Sequence, residues 1–126
     1  MAVAKTRAGG RWSESRFWGF LRSSLRRASV RWPPKADALR AARRAYKGPN
    51  KRRQYEYLCA ECGGWFAGKE VEIDHIVPCG PLRSFGDLPG FCERLFVEQE
   101  GYQCICVGCH AEKTRKAKEQ QKEDGK

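Results

Sequence analysis

Two short cysteine pairs, "CAEC" at 59–62 and "CVGC" at 106–109, constrain this chain more than any other feature. A two-residue gap lets one tight turn aim both sulfurs at a single ion, and two such turns complete the tetrahedron that zinc accepts. The 43 residues between the pairs exceed the span of a zinc ribbon. The spacing therefore predicts a clasp that joins the start of a domain to its last helix. Binding of that kind adds directly to folding free energy. The competing reading is a redox pair or four buried thiols. Cys79, Cys92 and Cys104 are left over, and free cysteines are usually small buried apolar groups. Cys104 shares a strand face with Cys106 and is the plausible stand-in ligand. The odd total of seven argues against a complete disulfide framework.

A staple suits the size, because 126 residues bury only a modest core. No apolar run reaches the roughly 18 residues of a membrane span, so no membrane association is expected. The opening "MAVAKTRAGGRW" lacks the apolar centre of a secretory signal, and the cytoplasm is the expected compartment. Thiols stay reduced there, which again favours metal over disulfides. Charge is unevenly spread. Residues 1–53 hold 16 Lys and Arg against two acids, whereas residues 54–126 hold nine against 13. Such asymmetry predicts a polyanion partner for the front segment. A solvated basic arm is the plainer alternative.

Residues 1–11 read as disordered. A helix is predicted over 14–30, capped by Ser13, with Phe17, Leu21, Leu25 and Ala28 as its apolar stripe. Trp32-Pro33-Pro34 breaks it. A second helix is predicted over 35–46, and "KGPNKRR" reads as a turn and linker. These divisions give a basic segment at 1–53, a second domain at 54–118 and a polar tail at 119–126. Within the second domain, short strands are expected around residues 55–76, a helix near 87–97, a strand at 102–106 and a last helix from Val107. The fold class is α+β. Arg16, Arg22, Arg26, Arg27, Arg43 and Arg44 are the predicted nucleic-acid contacts.

The stretch "EIDHIVPCG" at 72–80 sets Asp74 beside His75. On a strand these side chains point to opposite faces. Taken alone, the pair reads as a turn residue followed by a partly buried imidazole. The other histidine, His110, follows Cys109 directly and points about 100° away from it round the helix axis. It lies beside the clasp without joining it.

With "CAEC" before it and "CVGCHAEKT" after it, "EIDHIVP" resembles the HNH nucleases that carry a four-cysteine zinc site, members of the ββα-metal (His-Me finger) class. The likeness covers about residues 55–118. The front stretch "RFWGFLRSSLRRA" is similar, more loosely, to small HNH proteins of tailed bacteriophages. The resemblance implies a zinc-stabilised ββα-metal core. It implies His75 as the general base, and Asp74 and His110 as ligands of a catalytic divalent ion (Mg2+ or Mn2+, with Ni2+ or Zn2+ as alternatives). Cys59, Cys62, Cys106 and Cys109 would hold structural zinc. The chemistry is consistent with these roles, since phosphodiester hydrolysis needs an activated water and positive charge at the phosphate.

One position departs from the family, which usually has asparagine five residues before the third cysteine; Gly101 stands there, with Gln99 or Gln103 as substitutes. Glu72, on the same strand face as Asp74, reads as a solvated strand acid, with an outer group supporting the ligands or an extra ligand as the alternatives. Lys113, one helical turn beyond His110, is a predicted DNA contact. The implied activity is a DNA endonuclease of low sequence specificity, leaving a 5′-phosphate and a 3′-hydroxyl. Alternatives are a zinc-stabilised DNA-binding protein with a weak or inactive centre, and an accessory factor working with phage packaging proteins. Because no implied ligand precedes Cys59, a fragment starting near Asn50 is expected to keep both metal sites while losing much of its DNA affinity.

Overall fold

Ser13 stops one structure and starts another. Its hydroxyl accepts the Arg16 N–H at 3.2 Å and caps helix α1 (Glu14–Ser29). Before it, strands β1 (Lys5–Arg7) and β2 (Trp12–Ser13) pair antiparallel in a computed structural model that describes residues 3–124. The expectation of disorder over residues 1–11 is corrected for that hairpin; residues 1 and 2 lie outside the described residues. Glu14 explains the ordering. Its carboxylate accepts hydrogen bonds from Thr6 at 2.7 Å, Arg7 at 2.9 Å and the Trp18 indole at 3.0 Å. The Arg7 guanidinium, first among these, holds the Glu14 carboxyl down at about 2. The same guanidinium lies 4.4 Å from the centre of the Phe17 ring.

Helix α1 buries Trp18 against Cys79, Leu82, Phe91 and Leu95, with Phe17, Leu21 and Leu25 alongside. Ala28, predicted in that stripe, is exposed, and Ser29 is buried instead. Helix α2 spans Pro33–Ala41, not 35–46. It starts early because proline is well suited to the first helical turn. It stops early because the next residues form a sheet. Strand β3 (Arg43–Ala45) pairs with β4 (Tyr55–Leu58), which pairs with β5 (Trp65–Phe66). Arg43 lies over Tyr55 at 4.0 Å and Arg44 over Trp65 at 3.6 Å. The predicted boundary between residues 53 and 54 is therefore crossed by a β-ladder as well as by the Trp18 core.

Strand β6 (Val71–His75) and strand β7 (Tyr102–Cys106) form a separate antiparallel pair, with Ile73 opposite Cys104 and Asp74 opposite Gln103. Between them runs α3 (Leu88–Leu95), whose Phe91 and Leu95 are fully buried. Asp87 precedes α3, but its carboxylate accepts the Arg83 N–H at 2.9 Å and makes no cap bond to the helix. Strand β7 leads straight into α4 (Val107–Asp124), so the predicted tail at 119–126 is helical through Asp124; residues 125 and 126 lie outside the described residues. The fold is thus a mixture of four α-helices and three small sheets among the described residues. None of these helices is long and apolar enough to cross a membrane.

Candidate metal centres and the Asp74–His75 cleft

The four pair cysteines meet. The sulfurs of Cys59, Cys62, Cys106 and Cys109 all lie within 4.8 Å of one another. A zinc tetrahedron with Zn–S bonds of about 2.3 Å has sulfur–sulfur edges of about 3.8 Å, so the donor set fits that ion with small adjustments. The first pair sits in a turn closed by Gly63 N–H on the Cys59 carbonyl at 3.0 Å, with Gly63 itself at φ 74°. An L-residue rarely adopts that conformation, so the turn selects glycine. The second pair straddles the junction of β7 and α4. Cys104 is not among the four.

Burial opposes ionisation of Cys59, but the backbone N–H groups of Cys62, Cys106 and Glu61 outweigh it and bring the thiol to about 6. Hydrogen bonding with Cys106, followed by burial, pushes Cys109 up to about 12. The cluster thus favours a thiolate at its buried member. Cys79, by contrast, is pushed up chiefly by burial, as expected of a thiol packed in a core.

Beside this cluster, β6 aims Asp74 at α4. One carboxylate oxygen, Oδ2, accepts from Gln103 Nε2 at 3.1 Å and from the Lys113 ammonium. The other, Oδ1, stands 3.8 Å from His110 Nε2. Two ligands of one ion with bonds of about 2.1 Å can lie at most about 4.2 Å apart, so Oδ1 and Nε2 are compatible with a shared divalent ion. His110 is steered from behind. Its Nδ1 lies 2.9 Å from Glu72 Oε2, and a carboxylate in that position accepts. In the neutral ring this puts the hydrogen on Nδ1 and the lone pair on Nε2.

His75 faces another way. Its Nε2 lies 2.9 Å from the Leu95 carbonyl, and its ring packs against Tyr102 with centroids 5.0 Å apart. A carbonyl can only accept, so Nε2 carries a hydrogen, and in the neutral ring the lone pair is on Nδ1. Tyr102 donates to the same carbonyl at 2.8 Å, which fixes the wall behind the imidazole. Asp74, His75 and His110 together line a cleft of 370 Å³ with Arg26 and Lys113.

The remaining predicted contacts are dispersed. Arg16 stacks over Trp12 at 4.5 Å, and Arg22 reaches the Leu82 carbonyl at 3.5 Å. Arg27 is exposed in the last turn of α1. Arg44 is ion-paired with Glu56 at 2.6 Å as well as stacked on Trp65. Lys113 is turned inward, because it also donates to the His75 carbonyl at 3.0 Å. Its charge serves the Asp74 carboxylate where the sequence suggested a nucleic-acid contact.

Three supports escaped sequence reading as such: the Leu95 carbonyl, Glu72 as the partner of His110, and Lys35 on a neighbouring wall. Glu72 carried a usable signal, since it shares a strand face with Asp74. Gln103, one of two suggested substitutes for the missing asparagine, is the one bonded to Asp74. Gly101 has its own reason. A Cβ there would lie 2.5 Å from Val97 Cγ2 and 2.7 Å from Val97 Cβ, too close for any side chain without a shift. No family model, curated protein or solved structure matches this chain.

Proposed function

We propose that the protein is a metal-dependent DNA endonuclease of the HNH type. The observation that carries this reading is the arrangement around β6. His110 Nε2 approaches Asp74 Oδ1, while His75 stands in the same cleft with its Nε2 committed to the Leu95 carbonyl. Asp74 and His110 are the residues that would hold a divalent ion. When bound there, such an ion would supply positive charge to the phosphate oxygens and to the leaving oxygen. His75 Nδ1 takes a proton from the attacking water as the water oxygen bonds to phosphorus. The bond from phosphorus to the 3′ oxygen breaks, and solvent protonates that oxygen. The products are a 5′-phosphate and a 3′-hydroxyl. A base that also ligated the ion would lose the lone pair it needs, which is why separate residues serve the two roles. The cysteine clasp holds the turn after β4 to the start of α4, and so sets His110 opposite Asp74.

A plasmid assay with Mg2+, Mn2+, Ni2+ or chelator tests this. Wild type should cut in at least one metal and not in chelator. His75→Ala should lower the rate about 10²–10⁴-fold, the usual contribution of a general base, while zinc content and DNA affinity stay near wild type. Cleavage by the variant within a few-fold of wild type would remove His75 from the mechanism.

One observation favours a second reading, a zinc-stabilised DNA-binding protein with a weak centre. The Lys113 ammonium already neutralises Asp74, the carboxylate that would attract the ion. Absence of cleavage in every metal, with DNA binding retained, would select it. A role beside phage packaging proteins remains compatible with either reading, and co-purification with a packaging motor would test it.

A further inference from the structure

The cleft at His75 continues into a second one. Arg26, Asp74, His75 and His110 line the first, of 370 Å³, and the same four residues line a neighbouring cleft of 380 Å³. They therefore form one trough that runs past the candidate centre in both directions. One arm ends on α4 at Lys113 and Lys118. The other ends on the front helices at Ser29 and Lys35.

Some cations of the molecule are held by carboxylates, and those of the second arm are not. Arg7, Arg40, Arg44, Lys113 and Arg115 are held by carboxylates. Neither Arg26 nor Lys35 makes an ion pair or a side-chain hydrogen bond among the described residues. Each instead lies over an aromatic ring. Arg26 lies 6.0 Å from the centre of Phe91, and the Lys35 ammonium lies 6.0 Å from the centre of Tyr102, the ring that packs on His75. Lys35 is half-buried. Desolvation chiefly lowers its pKa; the neighbouring Cys79 raises it and the charge of Arg26 lowers it by less. An anion between the two would relieve both lowering effects. A stray surface lysine would turn outward to water at little cost; this one begins α2 with its ammonium kept against the site.

We infer that Arg26 and Lys35 form a subsite for a backbone phosphate of duplex DNA next to the phosphate at His75, so that the two front helices supply part of the reaction centre. This rests on the endonuclease reading for what lies at His75, but the subsite itself is a phosphodiester site and needs no turnover. It also assigns a path for the strand through the trough, between the α4 arm and the α1–α2 arm by way of Asp74. Arg26 and Lys35 are positioning residues in this arrangement.

The test measures binding of a short DNA duplex to the zinc-loaded full chain across a salt series, with no Mg2+ or Mn2+ added. Arg26→Gln and Lys35→Gln should each make the slope of log affinity against log salt shallower by about 0.9, and the double variant by about 1.8, equally on unrelated sequences. Lys35→Arg, which keeps the charge, should restore the wild-type slope; a merely structural role would not follow charge. Lys69→Gln, on an exposed turn outside the trough, is the control. Unchanged slopes, an equal change in the control, or no duplex binding by wild type would each overturn the subsite. Should Lys35→Gln fail to hold zinc, Arg26→Gln decides alone, since Arg26 is exposed on α1. Plasmid cleavage by the same proteins separates the two proposals. Cutting by wild type with unchanged slopes removes the subsite and leaves the nuclease. Shallower slopes with no cutting in any metal remove the nuclease and leave the subsite.

Discussion

Glu72 shows how much one outer carboxylate can decide. It lies on the wall of the trough beside Lys35 and has no catalytic role in the reading above, yet it sets which nitrogen of His110 faces Asp74. Groups of this kind usually alter metal affinity about 10–100-fold. Glu72→Gln can donate where the carboxylate accepts, so it should weaken divalent-ion binding by that factor and be rescued by excess Mn2+. A titration of cleavage rate against Mn2+ reads this directly, and an unchanged midpoint would return Glu72 to the solvated surface. Gly101 is a different case. The asparagine that the family resemblance led one to expect has no room beside Val97. Gly101→Asn should therefore destabilise the fold by about 1–3 kcal/mol, as overpacking does, without improving the centre. Urea denaturation monitored by tryptophan fluorescence measures it; equal or greater stability would show that Val97 yields freely. The polar work falls to Gln103, two residues on and directly across from Asp74 in the ladder. Sequence spacing alone placed Gln99 and Gln103 on equal terms, because only strand register distinguishes them.

At the level of elements, the sequence was most legible where a signal was local. Ser13 and the Phe17–Leu21–Leu25 spacing announced α1, and the short apolar run "YQCIC" announced β7. Strand β3 was not legible. "ALRAARRAY" is built of strong helix formers, and its last part becomes a strand only because β4 pairs with it from beyond a turn. The β1–β2 hairpin was hidden for a similar reason, since its charged residues are ordered by Glu14 on the following helix. The cysteine clasp lay at the other extreme: its spacing alone brought four sulfurs together on paper, as they are in the fold. Structural zinc in small domains contributes about 10–16 kcal/mol of binding free energy, all of it available to folding. Cys59→Ser should thus lose the ion and leave the β4–β5 turn detached from α4. Elemental analysis should find one tightly held zinc in wild type and none in the variant, with a lower thermal midpoint. A variant that melts with wild type would make the clasp dispensable.

The whole molecule does not divide where composition divides. The basic front and the acidic remainder looked like two units, and a fragment from Asn50 looked able to keep its metal sites. In the fold, Trp18 packs into the cluster of Leu82, Phe91 and Leu95, and the Trp32 indole donates to the Val97 carbonyl at 2.6 Å. Removing residues 1–49 would strip α1, α2 and β3 from those partners. Burying one large side chain of this kind is worth about 1.5–3 kcal/mol, and several are lost together. The fragment should therefore fail to fold cooperatively even with zinc, which circular dichroism during heating would reveal; a sharp melting transition would restore the two-domain view. The clasp has one more consequence, and it concerns time. Synthesis delivers Cys106 and Cys109 after the 43 residues that follow Cys62. At about 5–20 residues per second, the first two thiols wait roughly 2–9 s for their partners. His110 arrives with the second pair. During translation, then, Asp74 and His75 already exist without the helix that faces them, and the nascent protein cannot assemble its candidate centre before the last helix leaves the ribosome.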